Sequence, residues 1–173
     1  DTPYPKAKED PVKHLSIWYS MPEWIVARFM AQYGMAETEE ILAGFLDDDK
    51  GISLRCNYTN ASGEEIVSSL NAQGVKVEEG KVFSSALRIR GYGSLDELEA
   101  FKKGWVQVQD ESSLIVGEIA PVKEDSVVID VCAAPGGKSI HLADKMKGSG
   151  LIRACDITKE KVTLIRQNLI RTG

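Results

Sequence analysis

The chain has 173 residues, 43% hydrophobic and 27% charged, a globular composition that excludes a disordered or collagen-like polymer and bounds the fold to one large or two small domains. No apolar run reaches the roughly 18 residues that span a bilayer, and no basic-then-apolar leader opens the sequence. The net charge of −5 is concentrated in residues 1–50, with 5 Lys/Arg against 10 Asp/Glu, which argues against autonomous tight binding to nucleic acid, since that needs clustered Lys and Arg.

Residues 1–13 contain Pro3, Pro5 and Pro11 and read as a linker. Ser20-Met-Pro-Glu23 has capping-box spacing, with Pro22 in the first turn. The helix it predicts carries Ile25, Val26, Phe29, Met30 and Tyr33 on one face and stops at Gly34. A second helix is expected near 37–47, burying Ile41, Leu42, Phe45 and Leu46. The acidic run Asp47-Asp48-Asp49 at its end reads as solvated charge rather than a metal site.

From Gly51 the period becomes two. Ile52, Leu54, Cys56 and Tyr58 alternate with Ser53, Arg55 and Asn57, the pattern of a half-buried strand. Ser62-Gly-Glu-Glu65 is a second capping box, opening a helix that buries Ile66, Val67 and Leu70 and stops at Gly74. Strands are expected near 75–78 and 84–90. Ser94-Leu-Asp-Glu97 is a third box, with a helix to Gly104, and Trp105 to Gln109 is a strand. The order β-α-β-β-α-β is that of a ferredoxin-like unit. RNA-recognition modules share it, and Arg90-Gly-Tyr-Gly93 matches the start of their RNP1 pattern. Ser94, Leu95 and Asp96 then break that pattern, so a Gly-rich turn is the commoner explanation.

Asp110 is placed to cap a helix through Ile119, ended by Pro121. Val127 to Val131 is an almost wholly apolar run, as expected of a parallel strand covered on both faces. A Gly-rich turn, a helix to about Met146, a strand from Leu151 to Cys155 and a helix from Thr158 to Thr172 follow. That last helix is expected to bury Val162, Ile165 and Leu169. This is the opening of a doubly wound α/β sheet. The fold class is therefore α+β followed by α/β, with residues 1–50 as linker and helical segment, 51–109 as the ferredoxin-like domain and 110–173 as the start of a second domain.

The chemistry concentrates in Asp130-Val-Cys-Ala-Ala-Pro-Gly-Gly-Lys138 and in Asp156, 24 residues beyond Cys132, near the roughly 20-residue offset of nucleotide sites. Gly136 and Gly137 allow close backbone approach. The helix start offers N–H groups to polar or anionic ligand atoms. A strand-end carboxylate can accept from both ribose hydroxyls. Three ligands compete. A dinucleotide motif would need glycines where Cys132 and Ala134 stand. Gly137-Lys138-Ser139 fits the end of a P-loop, but Cys132 replaces its first Gly and Pro135 stiffens it. S-adenosylmethionine has a ribose and no phosphates, and suits the segment best.

These residues closely resemble the cofactor motif of the RNA (cytosine-5) methyltransferases, and within them the bacterial small-subunit ribosomal RNA methyltransferase B (Sun) group. Tyr19-Ser-Met-Pro-Glu-Trp24, Leu54-Arg-Cys-Asn57, Gly104-Trp-Val-Gln-Val-Gln-Asp110 and Asn168-Leu-Ile-Arg-Thr-Gly173 resemble that group's recurring segments, so the likeness covers nearly the whole chain. The resemblance implies a Rossmann-like S-adenosylmethionine-dependent sheet after the ferredoxin-like (RRM-like) domain. It implies that Cys132, Ala133, Ala134, Pro135, Gly136, Gly137 and Lys138 wrap the cofactor, that Asp156 binds its ribose and that Asp130 orients the loop. Lys161 is a weaker candidate, because a Lys in a first helical turn is usually solvated.

The family's reaction uses a Cys thiolate that attacks carbon 6 of cytosine, a methyl transfer to carbon 5 and a second Cys for release. Its cysteines belong to Pro-Cys and Thr-Cys motifs, and this sequence contains neither, so no catalytic residue is assigned. Cys56, Cys132 and Cys155 are odd in number and lack a C-x-x-C, which is neither a disulfide framework nor a zinc site. They read as reduced thiols of a cytoplasmic protein, Cys56 in the core and Cys155 in a buried strand. Beginning at Asp1 and stopping after two sheet strands, the chain reads as a fragment. It is expected to be inactive alone, with ribosomal RNA as its partner and no membrane. An exposed sheet edge would favour self-association or a disordered C-terminal third. A nucleotide-phosphate binder and a non-catalytic RNA-binding adaptor remain the alternatives.

Overall fold

The computed structural model describes residues 4–46 and 51–173, in two compact units, Asp1–Lys50 and Gly51–Gly173. The run Asp47-Asp48-Asp49 lies outside the described residues. No helix among them is long and apolar enough to cross a membrane.

The first unit is three helices: α1 (Pro11–Trp18), α2 (Glu23–Tyr33) and α3 (Met35–Phe45). They meet at Leu15, Val26 and Leu42, with Phe29 and Met30 packed alongside. The expected linker is thus shorter than 1–13, because Asp10 caps α1 by accepting from the Lys13 N–H and Pro11 fills the first position, where its missing N–H costs nothing. Ser20 does not cap α2. It sits at φ +52° and closes α1 instead, its N–H donating to the Ile17 carbonyl, and Pro22 takes the N-cap position. Gly34 ends α2 as expected. The apolar face of α3 is narrower than predicted: Leu42 is buried, but Tyr33 on α2, Phe45 and Leu46 are exposed.

The second unit opens with a four-stranded antiparallel sheet of β1 (Ile52–Cys56), β2 (Lys76–Glu79), β3 (Ala86–Arg90) and β4 (Val106–Val108), in the order β2-β3-β1-β4. This is the ferredoxin-like arrangement. Helix α4 (Gly63–Ala72) begins with the Ser62/Glu65 capping box, both reciprocal bonds formed, and lays Ile66 and Leu70 on Leu54, Cys56, Leu87, Ile89 and Val106. The third expected helix is broken into a 3-10 turn (Leu95–Glu97) and a short α5 (Glu99–Lys102), and the Ser94 side chain caps neither. Leu98 is extended between them and is buried in the core, so packing overrides the local signal. Tyr92 packs on that same core, so Arg90-Gly-Tyr-Gly93 is a turn and not an aromatic platform.

The other face of this sheet is not solvated as the period of two predicts. Arg55, Gln107 and Gln109 are all buried, covered by α7 (Gly137–Lys145) and α8 (Lys159–Thr172). Between the sheets runs α6 (Glu111–Ile119), and β5 (Val127–Asp130) pairs in parallel with β6 (Leu151–Ala154), Val127 opposite Leu151 and Asp130 opposite Ala154. The strand expected to be covered on both faces is covered on one: Val127, Ile129 and Val131 are 74%, 64% and 78% exposed. On α8 only Ile165 of the three expected residues is buried, and Val162 and Leu169 are exposed. Cys155 follows β6 and is half-buried, while Cys56 is in the core.

Candidate functional site

The turn from β5 into α7 is held by two carboxylates. Asp130, at the end of β5, accepts from the Cys132 N–H at 3.3 Å and from the Ser139 hydroxyl at 2.7 Å. Asp156, just past β6, accepts from the Ala134 N–H at 2.9 Å and from its neighbour Ile157 N–H at 2.8 Å. Those two amides, with the Lys161 ammonium at 3.3 Å, hold the Asp156 carboxyl below the usual range. The Ala133 N–H donates to the Cys155 carbonyl at 2.9 Å, and the Gly136 N–H to the Ala133 carbonyl at 2.6 Å. Gly136 sits at φ +106° as the N-cap of α7, a left-handed position that a side chain would strain.

Of the eight sequence-predicted residues, Cys132 to Gly137 and Asp156 lie together around one turn, and the Lys138 side chain does not. Cys132 and Pro135 are exposed, Ala133 and Gly136 buried, Ala134 and Gly137 between. A side chain at Gly137 would point at Gln109, 3.6 Å from its Oε1. Lys138 reaches away from the turn, its Nζ 3.5 Å from the Ser113 hydroxyl of α6. The Asp156 side chain is only 2% exposed, beneath a Lys161 that is 48% exposed, so Lys161 contributes more than a solvated first-turn lysine would.

Sequence reasoning missed Ser139, which follows the motif directly, and Asn168, whose Nδ2 donates to the Pro135 carbonyl at 2.9 Å across 33 residues. No local signal pairs those two. It also missed a cluster along α7, towards its C-terminal end. Arg55 Nη1 pairs with Asp144 of α7, while Arg55 Nε and Nη2 are buried without a partner among the described residues. His141 contacts Glu118 at 3.1 Å. Burial, then the nearby Arg55 charge, lowers the His141 pKa below 6.5. Lys145 donates to the Gly117 and Glu118 carbonyls, each at 2.7 Å, closing the end of α6.

Two loop amides spoken for by carboxylates leave poor ground for a polyphosphate, which would need those N–H groups and would face two negative charges. The arrangement suits a ligand with hydroxyls and positive charge. The fit is in the chain's own atoms: an exposed turn edge at Cys132 and Pro135, the first-turn N–H groups of α7, which find no partner within the helix, and a strand-end carboxylate beside them.

Residues 21–96 match the family described as "Methyltr_RsmF/B-like, ferredoxin-like domain", and residues 117–173 match "16S rRNA methyltransferase RsmB/F". A probable ribosomal RNA small subunit methyltransferase B of Bacillus subtilis is 38% identical over 167 residues, covering 96% of this chain and 37% of that protein. The crystal structure of PH0851 superposes with a TM-score of 0.86 at 31% identity, over 99% of this chain and 38% of its own. NSun6 from Pyrococcus horikoshii, solved with SFG, gives 0.78 at 20% identity, over 88% and 63%. The chain belongs to the RsmB/F ribosomal RNA methyltransferase family, and spans about 37% of the length of its Bacillus relative.

Proposed function

We propose that this chain carries the methyl-donor loop of an S-adenosylmethionine-dependent ribosomal RNA (cytosine-5) methyltransferase. The carrying observation is the pair of carboxylates, Asp130 and Asp156, that fasten the loop by its own amides. In this reading Cys132 to Lys138 line the donor and Asp156 accepts from its ribose hydroxyls, through lone pairs left after the two backbone bonds. Lys161 has to swing off Asp156 for the sugar to enter. When bound, the donor supplies an electrophilic sulfonium methyl group. Family membership and the NSun6 neighbour solved with SFG, an S-adenosylmethionine analogue, support this assignment.

The domain boundaries we propose are 1–50, 51–109 and 110–173. Cys56 is buried, Cys132 belongs to the loop and Cys155 follows β6, half-buried, with its backbone bonded to Asp130 and Ala133, so none of the three serves as nucleophile, and these residues alone transfer no methyl group to ribosomal RNA. The exposed stripe of Val127, Ile129 and Val131 is the surface through which the isolated chain self-associates. Calorimetric titration tests the donor assignment. S-adenosylhomocysteine binds saturably and ATP does not; saturable ATP binding without S-adenosylhomocysteine binding refutes it. RNA binding unaffected by Asp156→Ala, with no donor binding, would favour an adaptor.

A further inference from the structure

The apex of the loop is a proline, which has no N–H. Its carbonyl is the one backbone group by which Pro135 can be held, and Asn168 Nδ2 takes it at 2.9 Å. The other end of that amide is fixed too. Arg171 Nη2 donates to Asn168 Oδ1 at 3.0 Å. Arginine can only donate and a carbonyl can only accept, so the two neighbours impose the same orientation on the amide. Arg171 is itself anchored on the ferredoxin-like domain. Its Nη1 donates to the Phe101 and Val106 carbonyls at 2.9 and 3.0 Å, its Nη2 reaches the Gln107 side chain, and its guanidinium lies 4.0 Å over the Phe101 ring.

We propose that Asn168 is a positioning residue for the donor loop, with Arg171 as the group that orients it. Asn168 sets the height of the loop apex relative to the ferredoxin-like sheet, and thereby the donor affinity. The part concerning affinity rests on the donor reading above; the tether does not.

The test uses Asn168→Asp and Asn168→Leu in the whole chain. Aspartate keeps an acceptor for Arg171 but sets a carboxylate against the Pro135 carbonyl. Leucine gives up both bonds without adding charge. Hydrogen exchange without ligand should quicken at the Ala134 and Gly136 amides by about fivefold in both variants, the factor carried by one ordinary neutral hydrogen bond. Exchange across β1 and β3 should stay unchanged. Titrated with S-adenosylhomocysteine, both variants should bind about fivefold more weakly than the unaltered chain. Unchanged loop exchange, equal quickening across the sheet, or an effect confined to the Asp variant overturns the proposal. If the unaltered chain binds no S-adenosylhomocysteine, the donor reading fails, and the exchange experiment alone decides the tether.

Discussion

Gly104 is where the last turn of α8 touches the ferredoxin-like domain, and Gly104→Ala measures how much that contact holds. Gly104 has φ +68°, so a side chain there incurs strain of about 1 kcal/mol. Its Cβ would also overlap the Arg171 carbonyl oxygen and stand 2.6 Å from Thr172 Cα. These are backbone atoms and cannot rotate away, so the helix end has to move. The move breaks the Asn60 Nδ2 bond to the Thr172 carbonyl, now 2.8 Å, and strains the Arg171 bonds to the Phe101 and Val106 carbonyls. With about 1 kcal/mol for a neutral bond and somewhat more for charged ones, the total is about 3–4 kcal/mol. Gly74→Ala is the comparator, since Gly74 has φ +77° but nothing within 4 Å of its Cβ position, and should cost about 1 kcal/mol. Urea unfolding followed by circular dichroism, with equal m-values required, reads the difference. If Gly104→Ala falls within about 1 kcal/mol of Gly74→Ala, the close approach is not a stabilising contact and the reasoning fails.

Asp156 is stabilised as the anion by the Ala134 and Ile157 amides and by Lys161. Its depressed folded pKa means that its contribution is present above the ordinary aspartate value of 3.8 and lost as pH falls through the folded value. Asp156→Asn should therefore be less stable than the unaltered chain at pH 7, with the gap closing at acid pH; urea midpoints showing a pH-independent gap would contradict this. His141 is held neutral by burial, so protonation favours the unfolded chain. The stability it permits is full above 6.5 and declines as pH falls below that, and His141→Gln should flatten the decline between about pH 7 and 5. Arg55→Met strands Asp144, whose side chain is 20% exposed, and should cost about 2 kcal/mol, less than a fully buried pair. Adding Asp144→Leu should recover most of it, and a double variant no better than the single would refute the pairing.

What could be read from the sequence was local. The Asp130–Lys138 segment folds as a strand, turn and helix within its own length, and Asp156 follows from the next strand's end, so these were legible, whereas the bonds of Ser139 to Asp130 and of Asn168 to Pro135 were not. The Ser62/Glu65 box formed, with both reciprocal bonds in place. The Ser20/Glu23 box has the same spacing and did not form, because a helix where a linker was expected, α1, ends just before Ser20 and leaves it at φ +52° with its N–H on the Ile17 carbonyl. Ser94 lost to Leu98, whose burial required an extended residue mid-helix. Arg55 was unreadable for a different reason. Period two says which side a residue faces, not whether that side meets water, and the ion pair that meets Arg55 there comes from Asp144, 89 residues away in sequence.

That coverage changes how the ferredoxin-like sheet can be used. In an RNA-recognition module the face away from the helices is open and aromatic, so that bases can stack on it. Here the same face presents Arg55, Gln107 and Gln109, and each lies against the second sheet's helices or their starting turn. Arg55 is paired with Asp144 through Nη1 and Gln107 with Arg171, while Arg55 Nε and Nη2 and the Gln109 amide find no partner among the described residues, and breaking those pairs would leave further buried polar groups unmatched, which is expensive. The face is thus committed to docking, in a register that apolar residues would define less sharply. RNA that reached it would have to break the Arg55–Asp144 and Gln107–Arg171 contacts first. An RNA bound by this chain is therefore expected to use a surface other than the one the β-α-β-β-α-β order brings to mind. Ribosomal RNA fragments that quicken hydrogen exchange along α7 and α8 would speak against this, and protection confined to other surfaces would agree with it.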